Sequence, residues 1–281
     1  MSTKIELNKI VKLFTIFNQK KWVDIDGFDE NISRFGELID NLKSEQVELL
    51  ITLTERYRWY SYNEYHSQLR SLLKSLYAQH LEGIDKIYLF PIIKPKDEEN
   101  TKSGHAIMYF LDSIKPSLPQ YEKIEFELLK KFEDLEPENL KLEENEILLL
   151  VDDYVGSGGT LNASLSELEK NKSLNERFII LTVMIQESTK ETLDGNNIIN
   201  VVGEITNKGI SDHYEGDELK KNIELMEQME KTIPKVKNYK FGYESSEALV
   251  TMIKTPNNTF PIFWKDYHRK GKTYKAPFAR H

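Results

Sequence analysis

The most informative segment of this chain is a pair of adjacent carboxylates followed by a glycine-rich turn. Residues 147 to 151 are all apolar, Asp152 and Asp153 come next, and residues 156 to 160 read Gly-Ser-Gly-Gly-Thr. Such an apolar run is typical of a parallel-sheet strand, and ligands of open α/β sheets bind at the carboxyl ends of these strands. Glycines let backbone N–H groups approach an anion, and a helix that begins there favours negative charge. The sequence therefore predicts that the turn binds a phosphate and that the acids bind sugar hydroxyls.

Other kinds of glycine-rich turn can be compared with the same residues. A P-loop needs a lysine directly after its last glycine, but Thr160 follows Gly159. A dinucleotide-binding turn needs a third glycine where Leu161 stands, and it would not place two acids before the turn. A tight strand-to-helix turn with a capping aspartate remains as an alternative, because Asp and Gly are common in turns.

A second segment with possible chemistry is Thr101-Lys102-Ser103-Gly104, which precedes a predicted helix. A lysine, a hydroxyl group and a glycine at the start of a helix can bind an anion. An ordinary surface turn could have the same composition, so both interpretations stay open.

The spacing of apolar residues along the chain predicts the helices and strands that carry these segments. Apolar residues at helical spacing predict helices over residues 4–18, 29–42, 65–81, 122–132 and 215–231, and a further helix from Ser44. Besides the strand before the acids, apolar runs predict strands over 87–93, 177–186 and 198–202. If these strands are parallel, Lys208 lies at the same edge of the sheet as the acids. The dense aromatic segment from Arg56 to Tyr62 favours packing over a base-stacking platform.

Bulk composition excludes several classes of protein. The 281 residues contain no cysteine, which rules out disulfides, thiolate catalysis and cysteine zinc sites. The longest apolar stretch, residues 178–185, is interrupted by Thr182 and is far shorter than the roughly 18 residues of a membrane span. We therefore expect no membrane association and a cytoplasmic location.

The charge of the chain is distributed unevenly. Its formal net charge is −8, yet residues 265–281 contain six Lys or Arg and one acid, Asp266. Tyr267, Tyr274 and Phe278 alternate with these basic residues, a mixture that could stack on single-stranded nucleic acid or dock on an acidic partner. The alternative is a solvated terminus that folds over the rest of the protein.

The apolar strand, the acid pair and the Gly/Ser/Thr turn, in this order, resemble the phosphoribosyl-pyrophosphate (PRPP) motif of type I phosphoribosyltransferases. Near the carboxyl end, Phe241-Gly242-Tyr243 and the turn Thr255-Pro256-Asn257-Asn258-Thr259 before Trp264 are similar to the phosphoribosyltransferase-like branch of bacterial conflict systems. The resemblance implies an α/β fold: a type I phosphoribosyltransferase-like core with a mainly parallel sheet flanked by helices, preceded by a helical extension. We expect an extension over residues 1–82, a core over 83–264 and a basic tail over 265–281.

The resemblance also implies roles for individual residues. Asp152 and Asp153 would hold the ribose hydroxyls, bind Mg²⁺ and act in catalysis. The 5-phosphate would be bound by Gly156, Ser157, Gly158, Gly159 and Thr160. The pyrophosphate would be bound by Lys102, Ser103 and Gly104. Contacts with a base or an acceptor are expected from Tyr154, Lys208, Asn257 and Asn258, although a turn with internal hydrogen bonds would also explain the two asparagines.

The function implied is binding of PRPP, or of a nucleotide that presents ribose 5-phosphate, with transfer of the phosphoribosyl group or its reverse. The resemblance further implies an effector of bacterial anti-phage defence, with an ATPase or a reverse transcriptase complex as partner. The alternative is an inactive module that senses PRPP or a nucleotide, or that docks on a protein. An intact acid pair favours an enzyme, whereas the bulky Tyr154 and the lack of an obvious catalytic lysine among Lys123, Lys130 and Lys131 favour the module.

Overall fold

The structure of the protein is a computed structural model, and it describes residues 2–174, 177–269 and 271–280. The chain forms two compact units, Met1–Tyr62 with Asn207–His281, and Asn63–Thr206. These bounds differ from the division at residues 82 and 264 that the sequence suggested. The carboxyl-terminal part pairs residues 250–251 with the short strand at 58–59, and it shares an apolar core with the amino-terminal helices.

The helices and strands alternate through most of the chain. The helices are α1 Ser2–Gln19, α2 Phe28–Asp40, α3 Ser44–Arg56, α4 Tyr62–His80, α5 Ser103–Ile114, α6 Gly159–Leu168, α7 Glu187–Gly195, α8 Gly216–Glu230 and α9 Pro261–Trp264. The strands are β1 Arg58–Trp59, β2 Lys86–Pro91, β3 Glu125–Leu128, β4 Glu146–Val155, β5 Phe178–Gln186, β6 Asn200–Thr206, β7 Val250–Thr251, β8 Tyr267–Arg269 and β9 Lys272–Tyr274. Short 3₁₀ turns occupy several of the connections.

The central sheet lies in the unit Asn63–Thr206. Its strand order is β3-β2-β4-β5-β6, and every neighbouring pair is parallel. Helix α5 packs on β2 and β4, while α7 packs on β5 and β6. The predicted mainly parallel sheet flanked by helices is thus confirmed. Residues 147 to 151 of β4 are buried, as expected for a strand that is covered on both faces.

The prediction of a helix over residues 122–132 is wrong. Glu125-Phe126-Glu127-Leu128 forms the edge strand β3, in which exposed glutamates alternate with half-buried apolar residues. Pairing with β2 sets Ile87 opposite Phe126, and the Lys86 ammonium group lies 2.7 Å from a Glu127 carboxylate oxygen. Tertiary pairing therefore overrides the weak helical preference of this Glu- and Lys-rich segment.

The other unit, Met1–Tyr62 with Asn207–His281, is held together by aromatic packing. The ring of Phe278 stacks on Tyr57 with centroids 4.6 Å apart, and it also contacts Trp22 and Trp59. Strand β1 pairs with β7 in parallel, with Arg58 opposite Val250. The packing interpretation of the aromatic segment after Arg56 agrees with the burial of its residues Tyr57, Trp59 and Tyr60.

The basic carboxyl-terminal segment folds as part of this unit. Strands β8 and β9 form an antiparallel hairpin, and both Tyr267 and Phe278 are buried. Tyr274, the third ring of the predicted stacking surface, is half-buried, and binding of nucleic acid or of an acidic partner by this segment stays a prediction. Across the described residues, none of the helices combines the length and the apolar character that a membrane span needs.

Candidate functional site

The sequence predicted a strand that ends in the acid pair, and in the structure strand β4 continues for two residues beyond it, to Val155. The register with β5 sets Asp152 opposite Thr182 and Tyr154 opposite Met184, but in the described chain it has no pair at Asp153. Instead, the backbone N–H of Asp153 donates to Oδ1 of Asp152 at 2.9 Å. The ladder is thus interrupted at the acids.

Helix α5 begins directly against the acid pair. Ser103, its first residue, donates from Oγ to Oδ1 of Asp152 at 2.6 Å. A Cβ atom on Gly104 would lie 2.8 Å from both Cβ of Pro91 and the carbonyl oxygen of Val151, so only glycine fits there. The structure thereby brings together the predicted pyrophosphate segment and the predicted ribose acids.

The electrostatics of the pair favour retention of a proton. Burial and the neighbouring Asp153 raise the pKa of the Asp152 carboxyl well above its ordinary value, although the hydrogen bond from Ser103 opposes the shift. Burial also raises the pKa of Asp153, which is 6% exposed. Two carboxylates this close cannot both ionise without a cost, unless a cation or hydrogen-bond donors join them.

The glycine-rich turn leads from β4 into α6, as predicted. Gly158 has φ 79°, a left-handed conformation that favours glycine, and its carbonyl oxygen accepts from the N–H of Asn162 at 2.8 Å. Ser157 is exposed, while Gly159 and Thr160 are half-buried. The backbone N–H of Gly159 donates to Oγ of Ser157 at 3.5 Å.

Thr189 supports this turn, although it was not singled out from the sequence. Its Oγ1 donates to the carbonyl oxygen of Gly156 at 2.6 Å, and its methyl group would lie 3.3 Å from a Cβ atom on Gly158. Thr189 is buried in the first turn of α7, which follows β5. The signal is tertiary, because the two contacting segments are about thirty residues apart.

Lys102, the residue before α5, has partners on both its backbone and its side chain. Its Nζ lies 3.2 Å from Oδ1 of Asp97, and its backbone N–H donates to Nδ1 of His105 at 3.1 Å. Neither Asp97 nor His105 was singled out from the sequence. A Glu or Gln at the His105 position would have been recognised as half of a capping box.

Tyr154 is an interior residue. It is buried, and its hydroxyl has no hydrogen-bond partner among the described residues. Burial raises the pKa of this hydroxyl, so it remains protonated. Its expected contact with a base or an acceptor stays a prediction.

Lys208, Asn257 and Asn258 belong to the unit Met1–Tyr62 with Asn207–His281. The carbonyl oxygens of Asn257 and Asn258 accept from the N–H groups of Tyr243 and Ala248 at 2.9 and 3.1 Å. In the part of the chain that the structure describes, the two asparagine amide groups make no hydrogen bond. The expected ligand contacts of these three residues stay predictions.

The described residues contain no group of three or more His, Cys, Asp or Glu side chains arranged to hold a metal ion. The acid pair alone offers two carboxylates. This number suits a cation that also takes ligands from a phosphorylated molecule and from water.

A parallel sheet that carries an acid pair and a glycine-rich turn on one strand defines the class of phosphoribosyltransferase-like proteins. A family model described as PRTase-CE matches residues 32–280, and the chain therefore belongs to the PRTase-CE family. No curated protein matches the chain.

The solved structures that are similar to the chain include two phosphoribosyltransferases. A hypoxanthine-guanine-xanthine phosphoribosyltransferase has 13% identity and a TM-score of 0.32, with 52% of this chain and 75% of that chain covered. The Helicobacter pylori xanthine-guanine-hypoxanthine phosphoribosyltransferase has 15% identity and a TM-score of 0.31, with 53% of this chain and 84% of that chain covered. A hypothetical protein from Neisseria gonorrhoeae with bound ppGpp has 13% identity and a TM-score of 0.35, covering 61% and 97%. These values are too low to indicate an activity for this chain.

Proposed function

We propose that this protein binds PRPP, or a nucleotide that presents ribose 5-phosphate, and that it transfers the phosphoribosyl group or catalyses the reverse reaction. The observation that carries the proposal is the hydrogen bond from Ser103 to Asp152, 2.6 Å long. It joins two segments that were expected to bind adjacent parts of one ligand, the pyrophosphate and the ribose. A simple strand-to-helix turn would not require this contact.

The residues present fit Mg²⁺. The ion prefers carboxylate oxygens, and in phosphate-binding sites it is held by one or two carboxylates together with substrate phosphates. Asp152 and Asp153 would hold it, and the raised pKa of both carboxyls is the state that a divalent cation relieves. When bound, Mg²⁺ would offset the charge of the pyrophosphate.

The remaining chemistry can be assigned to the chain itself. The bond from ribose C1 to the pyrophosphate oxygen breaks, and pyrophosphate leaves with the bonding electron pair. Positive charge develops on the ribose until a nucleophilic atom of the acceptor forms the new bond to C1. The carboxylates of Asp152 and Asp153 orient the hydroxyls and favour that charge, because they are fixed before the reaction. The N–H groups of Gly158 and Thr160 hold the 5-phosphate at the start of α6. The ammonium group of Lys102 exchanges Asp97 for the leaving pyrophosphate.

A second candidate is a module that binds the ligand without turnover. The ion pair between Lys102 and Asp97 favours it, because the one cation of the pyrophosphate segment is already neutralised. In this case the acid pair and the turn would sense PRPP or a nucleotide for a partner protein.

We also propose that the protein acts in bacterial anti-phage defence, together with an ATPase or a reverse transcriptase complex. The support is the likeness of its segment 241–264 to the conflict-system branch. Binding of an acidic partner or of nucleic acid to residues 265–280 would involve the exposed lysines of the hairpin, Lys272 and Lys275, and would weaken steeply with salt.

Calorimetric titration with PRPP and Mg²⁺ tests the main proposal. We expect saturable binding by the wild-type protein and at least about a hundredfold weaker binding by Asp152→Asn/Asp153→Asn, since each buried charged contact is worth roughly 1.5–3 kcal/mol. Asp112→Asn, an exposed change on helix α5, is the matched control. Pyrophosphate release in the presence of nucleobases would then establish the enzyme, and binding without release would establish the module. Equal affinity of wild type and double variant would refute both.

A further inference from the structure

The imidazole ring of His105 fixes the segment that carries Ser103. His105 is the third residue of α5 and is half-buried. Nδ1 of the His105 ring accepts from the backbone N–H of Lys102 at 3.1 Å. The backbone N–H of His105 donates to the carbonyl oxygen of Lys102, also at 3.1 Å. One residue therefore holds the peptide groups on both sides of the Lys102 Cα.

The ring is suited to this role because it stays neutral. Since Nδ1 accepts a hydrogen bond, the ring proton resides on Nε2. Burial lowers the pKa of His105, and the ammonium group of Lys102 lowers it further, while the Lys102 backbone as a whole acts in the opposite direction. Near neutral pH the ring therefore keeps its acceptor.

The residues next to His105 show what depends on this arrangement. The side chain of Lys102 reaches Asp97, and that of Ser103 reaches Asp152. Gly104 lies so close to Pro91 and Val151 that the backbone there cannot shift towards the sheet. Rotation at Lys102 is thus the freedom that remains, and His105 removes it.

We propose that His105 is a positioning residue for the pyrophosphate end of the ligand. This inference rests on the proposed function. The ring sets the backbone at Lys102 so that Ser103 meets Asp152 and the Lys102 ammonium group faces the leaving pyrophosphate. His105 itself need not touch the ligand.

The choice of histidine has a chemical reason. Helix starts often use Glu or Gln at this position to accept from the same N–H group. A glutamate would place a negative charge beside the pyrophosphate, whereas a neutral imidazole accepts the bond without this repulsion. A glutamine at position 105 should therefore still accept the hydrogen bond from the Lys102 N–H, whereas an alanine cannot accept it.

The test compares two ligands that differ by the pyrophosphate. Calorimetry on the full chain would give the affinities of the wild-type protein, His105→Ala and His105→Gln for PRPP with Mg²⁺ and for ribose 5-phosphate. We expect the ratio of the two affinities to fall about fivefold in His105→Ala, the equivalent of roughly one hydrogen bond. Affinity for ribose 5-phosphate should not change, and His105→Gln should keep the wild-type ratio.

Three results would overturn the inference: an unchanged ratio in His105→Ala, an equal loss for both ligands, or a His105→Gln variant that behaves like alanine. If the wild-type protein bound neither ligand, the proposed function would fail as well. Amide hydrogen exchange separates these failures without any ligand. The Lys102 N–H should exchange faster in His105→Ala than in the wild type or His105→Gln, with the β4 amides equally protected in all three. Unchanged exchange at Lys102 would by itself refute the positioning role.

Discussion

The hydroxyl of Thr189 donates to the carbonyl oxygen of Gly156 at 2.6 Å and so connects the first turn of helix α7 to the glycine-rich turn. The two residues come from consecutive strand-to-helix connections of the parallel sheet. Connections of this kind meet at the carboxyl edge of neighbouring strands, and here β4 lies beside β5. The turn proposed to bind phosphate is therefore supported by a residue of the neighbouring connection.

Replacement of Thr189 should weaken phosphate binding. Thr189→Val keeps the shape but removes the hydroxyl, so the Gly156 carbonyl loses its partner, at a cost of about 1–3 kcal/mol in the free energy of unfolding. We expect affinity for ribose 5-phosphate to fall by roughly fivefold or more, as measured by calorimetry. Thr189→Ser should behave like the wild type. Thr192→Val, an exposed change on the same helix, is the control, and a loss of the same size there would contradict the explanation.

Gly104→Ala should disturb the contact between helix α5 and the sheet. The added Cβ would lie 2.8 Å from Pro91 and from the Val151 carbonyl oxygen, so the helix must move away. We expect a loss of about 1–3 kcal/mol in urea unfolding, together with weaker PRPP binding as Ser103 leaves Asp152. Gly36→Ala is the matched control, because Gly36 lies within helix α2 with no atom near its Cβ position. That change should stabilise by about 0.5–1 kcal/mol.

Asp152→Asn should stabilise the ligand-free protein at neutral and alkaline pH. Because the pKa of Asp152 is raised in the folded state, ionisation costs stability there. The cost is absent below about pH 4, where an unfolded aspartate is also protonated, and it grows as pH rises towards the folded pKa. Urea unfolding between pH 4 and pH 8 should show a stability difference in favour of the variant that increases with pH.

The same linkage predicts how Mg²⁺ binding depends on pH. Protons and the cation compete for the acid pair, so the affinity of the wild-type protein for Mg²⁺ should fall as pH decreases through the raised pKa values. Calorimetric titration with Mg²⁺ and PRPP at several pH values measures this. An affinity that is constant down to pH 4 would mean that the carboxyls are not the ligands.

Phe278→Ala should destabilise the unit Met1–Tyr62 with Asn207–His281. The ring is 4% exposed and packs on Tyr57, Trp22 and Trp59. We expect a loss of about 3–5 kcal/mol in the free energy of unfolding, the usual range for a buried phenylalanine. Lys272→Ala, an exposed change in the hairpin, should have an effect below about 0.5 kcal/mol. Similar values for the two variants would show that the segment does not belong to the core.

The acid pair and its turn could be predicted from sequence because their signals are local. An apolar strand, two carboxylates and three glycines within fifteen residues limit what the backbone can do there. The helix predicted over 122–132 failed for the opposite reason. Residues 125 to 128 carry a weak local preference, and the free edge of β2 decides their conformation.

The apolar strands, the two acids on one of them and the glycine turn before α6 could be predicted from sequence alone, since each depends on neighbouring residues. Tertiary folding brings Ser103 to Asp152 and Thr189 to Gly156. It also buries Phe278 of the basic terminus. The residues in these contacts are separated by 33 positions for Thr189 and Gly156 and by more than 200 for Phe278 and its partners. Their partners are selected by packing and strand order, which no local pattern of residues encodes.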